Sequence, residues 1–463
     1  MTSPSADPPD WSSPVPDMKL IKDGWVVSMD PAIGEVRHGS ILVEGSRIVQ
    51  VGADLVAPNG CEVIDAAGTI VIPGLIDMHK HLWQTPLRGI VADLTLIDYF
   101  TIIREQKLAR FRPEDVGIGT YAGALELIDS GTTTVLDHSH GVVTPQHADA
   151  LAEAMLASGV RGVWAYGYAA AGPSGGVPAF ATHADKISDA YRVRSAYFGS
   201  DSVMRMGIAP GDHGRLPLEL VEAELRSAKD MDAIWTAHTH CPPGNMAATR
   251  GIHTLLARGH VDERAVLSHC NELGADDFAL IADSGAHFVS TPDTEMGFGI
   301  PAPPPYAAAL ASGVTPCLGT DCVTCMSTDM FSCMRLAMVV ARSQVNRRAP
   351  YEPISEQTIT TRDVLGWATM AGARALGLDD EIGSLSPGKA ADIVLVDATA
   401  TNMFPALDPV ASLVLHAHAG NVDTVLIDGV VRKRHGRLLD VDLPKLRDEL
   451  SAASDHVMQP IHA

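Results

Sequence analysis

Short apolar runs alternate with stretches of helical periodicity over most of this chain. The runs from Ile70 to Asp77, Ala233 to His240, Ala265 to His269 and Val314 to Asp321 read as buried strands. Others end near Asp137, Tyr166, Ile208 and Ser290. Together they make eight, the number that closes a barrel. Between them lie helical stretches such as Tyr121 to Ser130 and Gln146 to Ala157. Strand–helix alternation argues a parallel sheet with crossover helices. The expected fold class is therefore α/β, a (β/α)8 TIM barrel over residues 73–387.

The flanks have a different texture. Residues 18–72 alternate brief apolar runs with turns, as in Ser40 to Glu44 and Arg47 to Val51. The same texture returns in Asp392 to Val396 and Val422 to Arg432. Residues 18–72 and 388–440 are expected to form one small β-sandwich from both chain ends. Residues 1–17 read as a flexible Pro/Ser-rich tail and 441–463 as a helical tail.

Polar residues at the strand ends change the picture. His79 and His81 close the first barrel run. At i and i+2 on a strand, both rings can aim at one point. His240 closes the fifth run, His269 the sixth and Asp321 the eighth. A parallel barrel gathers its catalytic groups at these C-terminal ends. Three imidazoles and a carboxylate suit a catalytic metal with an open position for water. His240 is expected as the fifth-strand ligand rather than His238, because it lies nearer the strand's C-terminal end.

These residues carry a resemblance. The stretch from Pro73 to His81 resembles the first-strand signature of the amidohydrolase superfamily. Leu87-Arg88-Gly89 and Asp93 to Leu96 are similar to its deaminase and chlorohydrolase branch. So are Gly131 to Asp137, Leu318 to Asp321 and Ser386 to Leu395. The resemblance spans roughly residues 18–440. It implies a metal held by His79, His81, His240 and Asp321. It also implies that His269 contacts the hydrolytic water or substrate and that Asp321 accepts the water's proton. In most of the branch a glutamate sits three residues after the fifth-strand histidine and shuttles protons. Here Pro243 stands there, or Cys241 if counted from His238. No lysine occupies the fourth strand, where two-metal members carry a bridging one. One divalent ion is therefore expected, zinc ahead of iron.

Other residues are candidates for the pocket. Trp83, Gln84 and Arg88 follow the metal pair. His138 and His140 follow the second strand and could line the pocket or bind a second ion, of which lining is preferred. His238, Glu295 and Glu272 complete the substrate-side set, the two glutamates being candidate replacement acids.

Composition narrows the class. The 56 acidic and 34 basic residues give a formal charge of −22, which repels nucleic acid and anionic membranes. No long apolar segment suggests a membrane span. An odd number of cysteines, seven, points to reduced thiols and a cytoplasmic location. Cys241, Cys270 and Cys322 follow site residues and are expected to point away from the metal. A homo-oligomer, dimer or tetramer, acting on a small molecule is expected. Three functions compete: deamination of an N-heterocycle; dechlorination or carbamate, thiocarbamate or urea hydrolysis; and a non-catalytic scaffold. A complete ligand set argues against the scaffold. Without the glutamate, a leaving group that departs as a weak base is favoured.

Overall fold

The computed structural model describes residues 17–168, 179–199, 202–212, 216–239, 251–348 and 354–459. Eight parallel strands form the barrel sheet: β1 (Leu75–Lys80), β2 (Thr132–Ser139), β3 (Arg161–Gly167), β4 (Met204–Ala209), β5 (Trp235–Thr239), β6 (Ala265–His269), β7 (His287–Ser290) and β8 (Pro316–Leu318). Each pairs with the next in chain order. The ring closes just past β8. Asp321 N donates to His79 O at 2.8 Å and His81 N donates to Asp321 O at 3.1 Å. Gly319 permits this approach, since a Cβ there would lie 2.8 Å from His79 N.

The strands are apolar on both faces because both faces are covered. Ile76, Met78, Leu136, Val163, Ala165, Ala209, Val266, Val289 and Cys317 make one core cluster. Helix Met370–Ala375 packs against it: a Cβ on its Gly372 would meet Ile76 and Met78. The opposite faces contribute Leu75, Val135, Trp164, Leu267 and Phe288 to the larger core. Cys270 and Cys322 belong to that outer layer, as alternation predicts, while Cys241 lies outside the described residues.

The chain ends build a separate sheet. Strands from Met18 to Pro73 and from Ile393 to Leu438 form one hydrogen-bonded, mixed sheet of nine strands. The β domain expected from both chain ends is built as one continuous hydrogen-bonded sheet. Its early and late strands share a core that includes Ile21, Val26, Ile41, Val71, Ile393, Leu395 and Leu426. The link between the two flanks is Thr69–Pro73 paired antiparallel with Ile393–Asp397. A sequence pattern marks the strands but not the pairing that joins chain ends. The last helix, Leu443–Met458, covers the barrel helix Pro113–Asp129. Among the described residues no helix is long and apolar enough to cross a membrane.

Candidate metal centre and active site

The ends of β1, β5 and β6 and the segment after β8 converge on one point. Asp321 Oδ1 is 3.7 Å from His79 Nε2 and 3.4 Å from His81 Nε2. His238 Nε2 lies 3.3 Å from His81 Nε2. Donors held about 2.0–2.1 Å from a tetrahedral ion stand roughly 3.3–3.5 Å apart, so this spacing is that of a coordination shell. His79, His81 and Asp321 place a ligand atom each within 4.8 Å of one another, and so do His79, His138 and His238. His79 Nε2 is buried with no hydrogen-bond partner among the described residues. Facing lone pairs at this spacing repel unless a cation lies between them.

The outer nitrogens fix the ring tautomers. His81 Nδ1 donates to His138 O at 2.8 Å. His238 Nδ1 donates to Asp212 Oδ1 at 3.2 Å. His79 Nδ1 lies 2.9 Å from Ser268 Oγ. For His81 and His238, whose Nδ1 partners only accept, Nε2 is thereby left as the ligating atom. Burial, reinforced by the neighbouring imidazoles, pushes His79 well below the ordinary histidine range. Burial brings His81 down to about 3, although Asp321 opposes it. Burial raises the Asp321 carboxyl, but His269, His81, His238 and Lys80 outweigh it and hold the group ionised. Neutral imidazoles and an ionised carboxylate are the states a metal requires. The residues fit a divalent cation.

Local backbone geometry aims these groups. The β1–β2 register shifts between Asp77 and Lys80, so His79 sits in an irregular stretch that redirects its ring. His269 (φ +75°) and Asp321 (φ +57°) both adopt the left-handed region. Such conformations are costly for these residues and cluster at functional sites. Asp77 holds the turn beside Asp321 by accepting from Thr320 N at 3.2 Å and Thr320 Oγ1 at 2.5 Å.

His269 is oriented from behind by Glu295, whose Oε1 is 3.3 Å from His269 Nδ1. Glu295 also accepts from Ser290 Oγ at 2.8 Å and Thr291 N at 2.9 Å. Burial depresses His269, but the Glu295 hydrogen bond and the charges of Asp321 and Glu295 reverse the shift, leaving it raised.

The substrate-side expectations divide. His138 and His140 lie in the cluster, His140 stacked on His81 at 4.1 Å between ring centroids. Trp83 is fully buried and donates to His140 Nδ1. Gln84 is buried with its amide committed to Tyr99 OH (2.6 Å) and Thr324 Oγ1 (3.3 Å). Arg88 does not enter the site. It makes a two-pronged pair with Glu126 at 2.8 and 2.7 Å. Glu272 is exposed. Glu295 is committed to His269 rather than free as an acid.

On the fifth strand, the expected ligand His240 lies outside the described residues. His238, assigned to the substrate side, is the histidine that β5 brings to the ligand cluster. Cys241 and Pro243 also lie outside the described residues. Sequence reading missed Asp212, although an acidic residue just past a barrel strand was the available signal. It also missed Arg104 on the π-helical turn Phe100–Lys107, which acts with burial to depress His81, His138 and His140. No local pattern marks Arg104.

A closed ring of parallel strands with histidines and an aspartate at its C-terminal mouth defines a metal-dependent barrel hydrolase. The amidohydrolase family model matches residues 70–432. The chain belongs to the amidohydrolase family and is an amidohydrolase-type enzyme. It is 29% identical over 426 residues to a 5-methylthioadenosine/S-adenosylhomocysteine deaminase of Symbiobacterium thermophilum, covering 89% of this chain and 92% of that protein. It is 27% identical over 448 residues to a 5'-deoxyadenosine deaminase of Methanosarcina acetivorans, covering 96% and 99%. Among solved structures, a zinc-containing adenosine deaminase from Xanthomonas campestris superimposes with a TM-score of 0.82 at 24% identity, over 95% of this chain and 98% of that one. The zinc complex of atrazine chlorohydrolase TrzN from Arthrobacter aurescens TC1 gives 0.80 at 24%, over 94% and 100%. At that identity the structural likeness shows the fold.

Proposed function

We propose that this enzyme binds one zinc ion through His79, His81, His238 and Asp321 and hydrolyses a C–N or C–X bond at an electrophilic carbon of a small N-heterocycle. The convergence of His79 Nε2, His81 Nε2 and Asp321 Oδ1 on one buried point carries the reading. A divalent ion there supplies Lewis acidity, lowering the pKa of a water from about 15.7 toward 7 and polarising the bond under attack. Asp321 takes the proton from the attacking water. His269, held by Glu295, orients the oxygen. The proton on Asp321 then leaves with the departing group. Relatives named as deaminases and a chlorohydrolase support both amine and chloride as leaving groups. With Cys241 three residues after His238 and Pro243 three after His240, no glutamate stands where the branch carries its proton shuttle. A leaving group that departs as a weak base is therefore favoured. The odd number of cysteines supports a cytoplasmic location, and a homo-oligomer is part of the same proposal.

The test is a panel of amino- and chloro-substituted purines, pyrimidines and triazines, with ammonia and chloride measured separately. Hydrolysis should vanish on chelation and return with one equivalent of zinc. Failure of every panel member with stoichiometric metal would overturn the reading.

A further inference from the structure

Trp83 Nε1 lies 2.9 Å from His140 Nδ1. An indole nitrogen only donates, so His140 Nδ1 accepts. The ring is then neutral and carries its single proton on Nε2. That Nε2 is buried and has no hydrogen-bond partner among the described residues. A buried N–H ordinarily finds a partner, and one without a protein partner at an active site points to a ligand.

The position suits that role. His140 stacks on the ligand-cluster residue His81, centroids 4.1 Å apart at 25°. Its ring centroid is 6.2 Å from that of His238. The indole that sets the tautomer is immobilised. Trp83 is fully buried and meets Phe111 edge-to-face at 5.0 Å. Gly141 lies against it so closely that a Cβ would come 3.1 Å from Trp83 Cγ.

We propose that His140 is a substrate-contacting residue whose Nε2–H donates to the heteroatom acceptor beside the carbon under attack, and that Trp83 is the positioning residue that fixes the donor tautomer. The proton stays on nitrogen, and the hydrogen bond draws electron density from the C–N or C–X centre. This rests on the hydrolase reading above. It assigns the polarising contact to a histidine just past strand β2, in a chain without the branch's glutamate.

The experiment uses zinc-loaded protein with 15N-labelled histidine. Two-bond 1H–15N spectra report each ring's tautomer, and the His140 signals are identified by their loss in His140→Gln. The expected pattern is Nε2–H in the parent and a mixture of tautomers in Trp83→Phe. A parent His140 protonated on Nδ1 would overturn the proposal. In kinetics on a panel compound that the parent hydrolyses, His140→Ala should lower kcat/KM about a hundredfold, the usual loss of one preorganised donor. His140→Gln, which retains an N–H, should recover part of that loss. Trp83→Phe should lower kcat with little change in KM. A His140→Ala enzyme within about threefold of the parent would overturn the donor role. So would loss of zinc from His140→Ala, which would make the residue a support for His81 instead. If the parent hydrolyses nothing, the hydrolase reading itself fails, and the tautomer spectrum still tests the Trp83–His140 geometry independently.

Discussion

Glu295 Oε1 stands 3.3 Å from His269 Nδ1, and both side chains are buried. The glutamate sits on a short helix, Pro292–Gly297, and is locked by Ser290 and Thr291. Its role is to orient His269. Glu295→Gln should keep its metal and lose about 10–100-fold in kcat, the usual cost of removing an orienting partner. Glu272→Gln, at an exposed position, should stay within about threefold. Steady-state rates with metal content checked in parallel measure both, and equal losses would return Glu272 to the site.

The ligand from β5 can be read by elemental analysis. His238 is anchored to Asp212 and faces His81. His238→Ala should lose most of its zinc after mild dialysis, while His240→Ala keeps near one equivalent. The opposite result would give the ligand role to His240, the residue implied by the family resemblance. Two tightly held equivalents in the parent would sink the single-ion reading.

Asp137 supplies a pH signature. Burial pushes its carboxyl up to about 7, while Oδ1 accepts from Leu82 N at 2.9 Å. A raised carboxyl favours folding when protonated. Its contribution is full below the unfolded value near about 3.9 and is lost as pH rises through about 7. Asp137→Asn stays neutral and keeps the acceptor. Relative to the parent, this variant should therefore gain stability between pH 5 and 8, on the order of a few kcal/mol. Melting temperatures of the two zinc-loaded proteins across that window check it. A difference independent of pH would contradict the assignment.

Arg161 ties the barrel to the terminal sheet. Its guanidinium contacts Asp392 at 2.7 and 3.1 Å and Asp428 at 2.9 Å, with Arg161 and Asp392 almost fully buried. Asp392→Ala leaves a buried cation without its main partner and should cost about 3–5 kcal/mol in denaturant unfolding. Replacing Arg161 and Asp392 together by leucine should cost less, because the charge left behind, Asp428, is partly exposed rather than buried. A double variant as unstable as the single one would assign the loss to packing.

The barrel strands and most of the site were legible in the sequence because they are local. A strand covered on both faces is a continuous apolar run, and a polar residue at its end is conspicuous. That sufficed to mark His79, His81, His269 and Asp321, and to note the absence of a lysine on β4. Tertiary structure alone decided the pairings. His238 meets His81 across 157 residues, and Thr320 meets Asp77 across 243. Glu295 turned from candidate acid to the orienting partner of His269, and Arg88 was taken by Glu126 on another element. That the two flanks join in one sheet also depends on which strand meets which. Periodicity records the environment of a side chain. Its partner, and hence its tautomer, charge and task, is set only when distant segments are brought within hydrogen-bond distance.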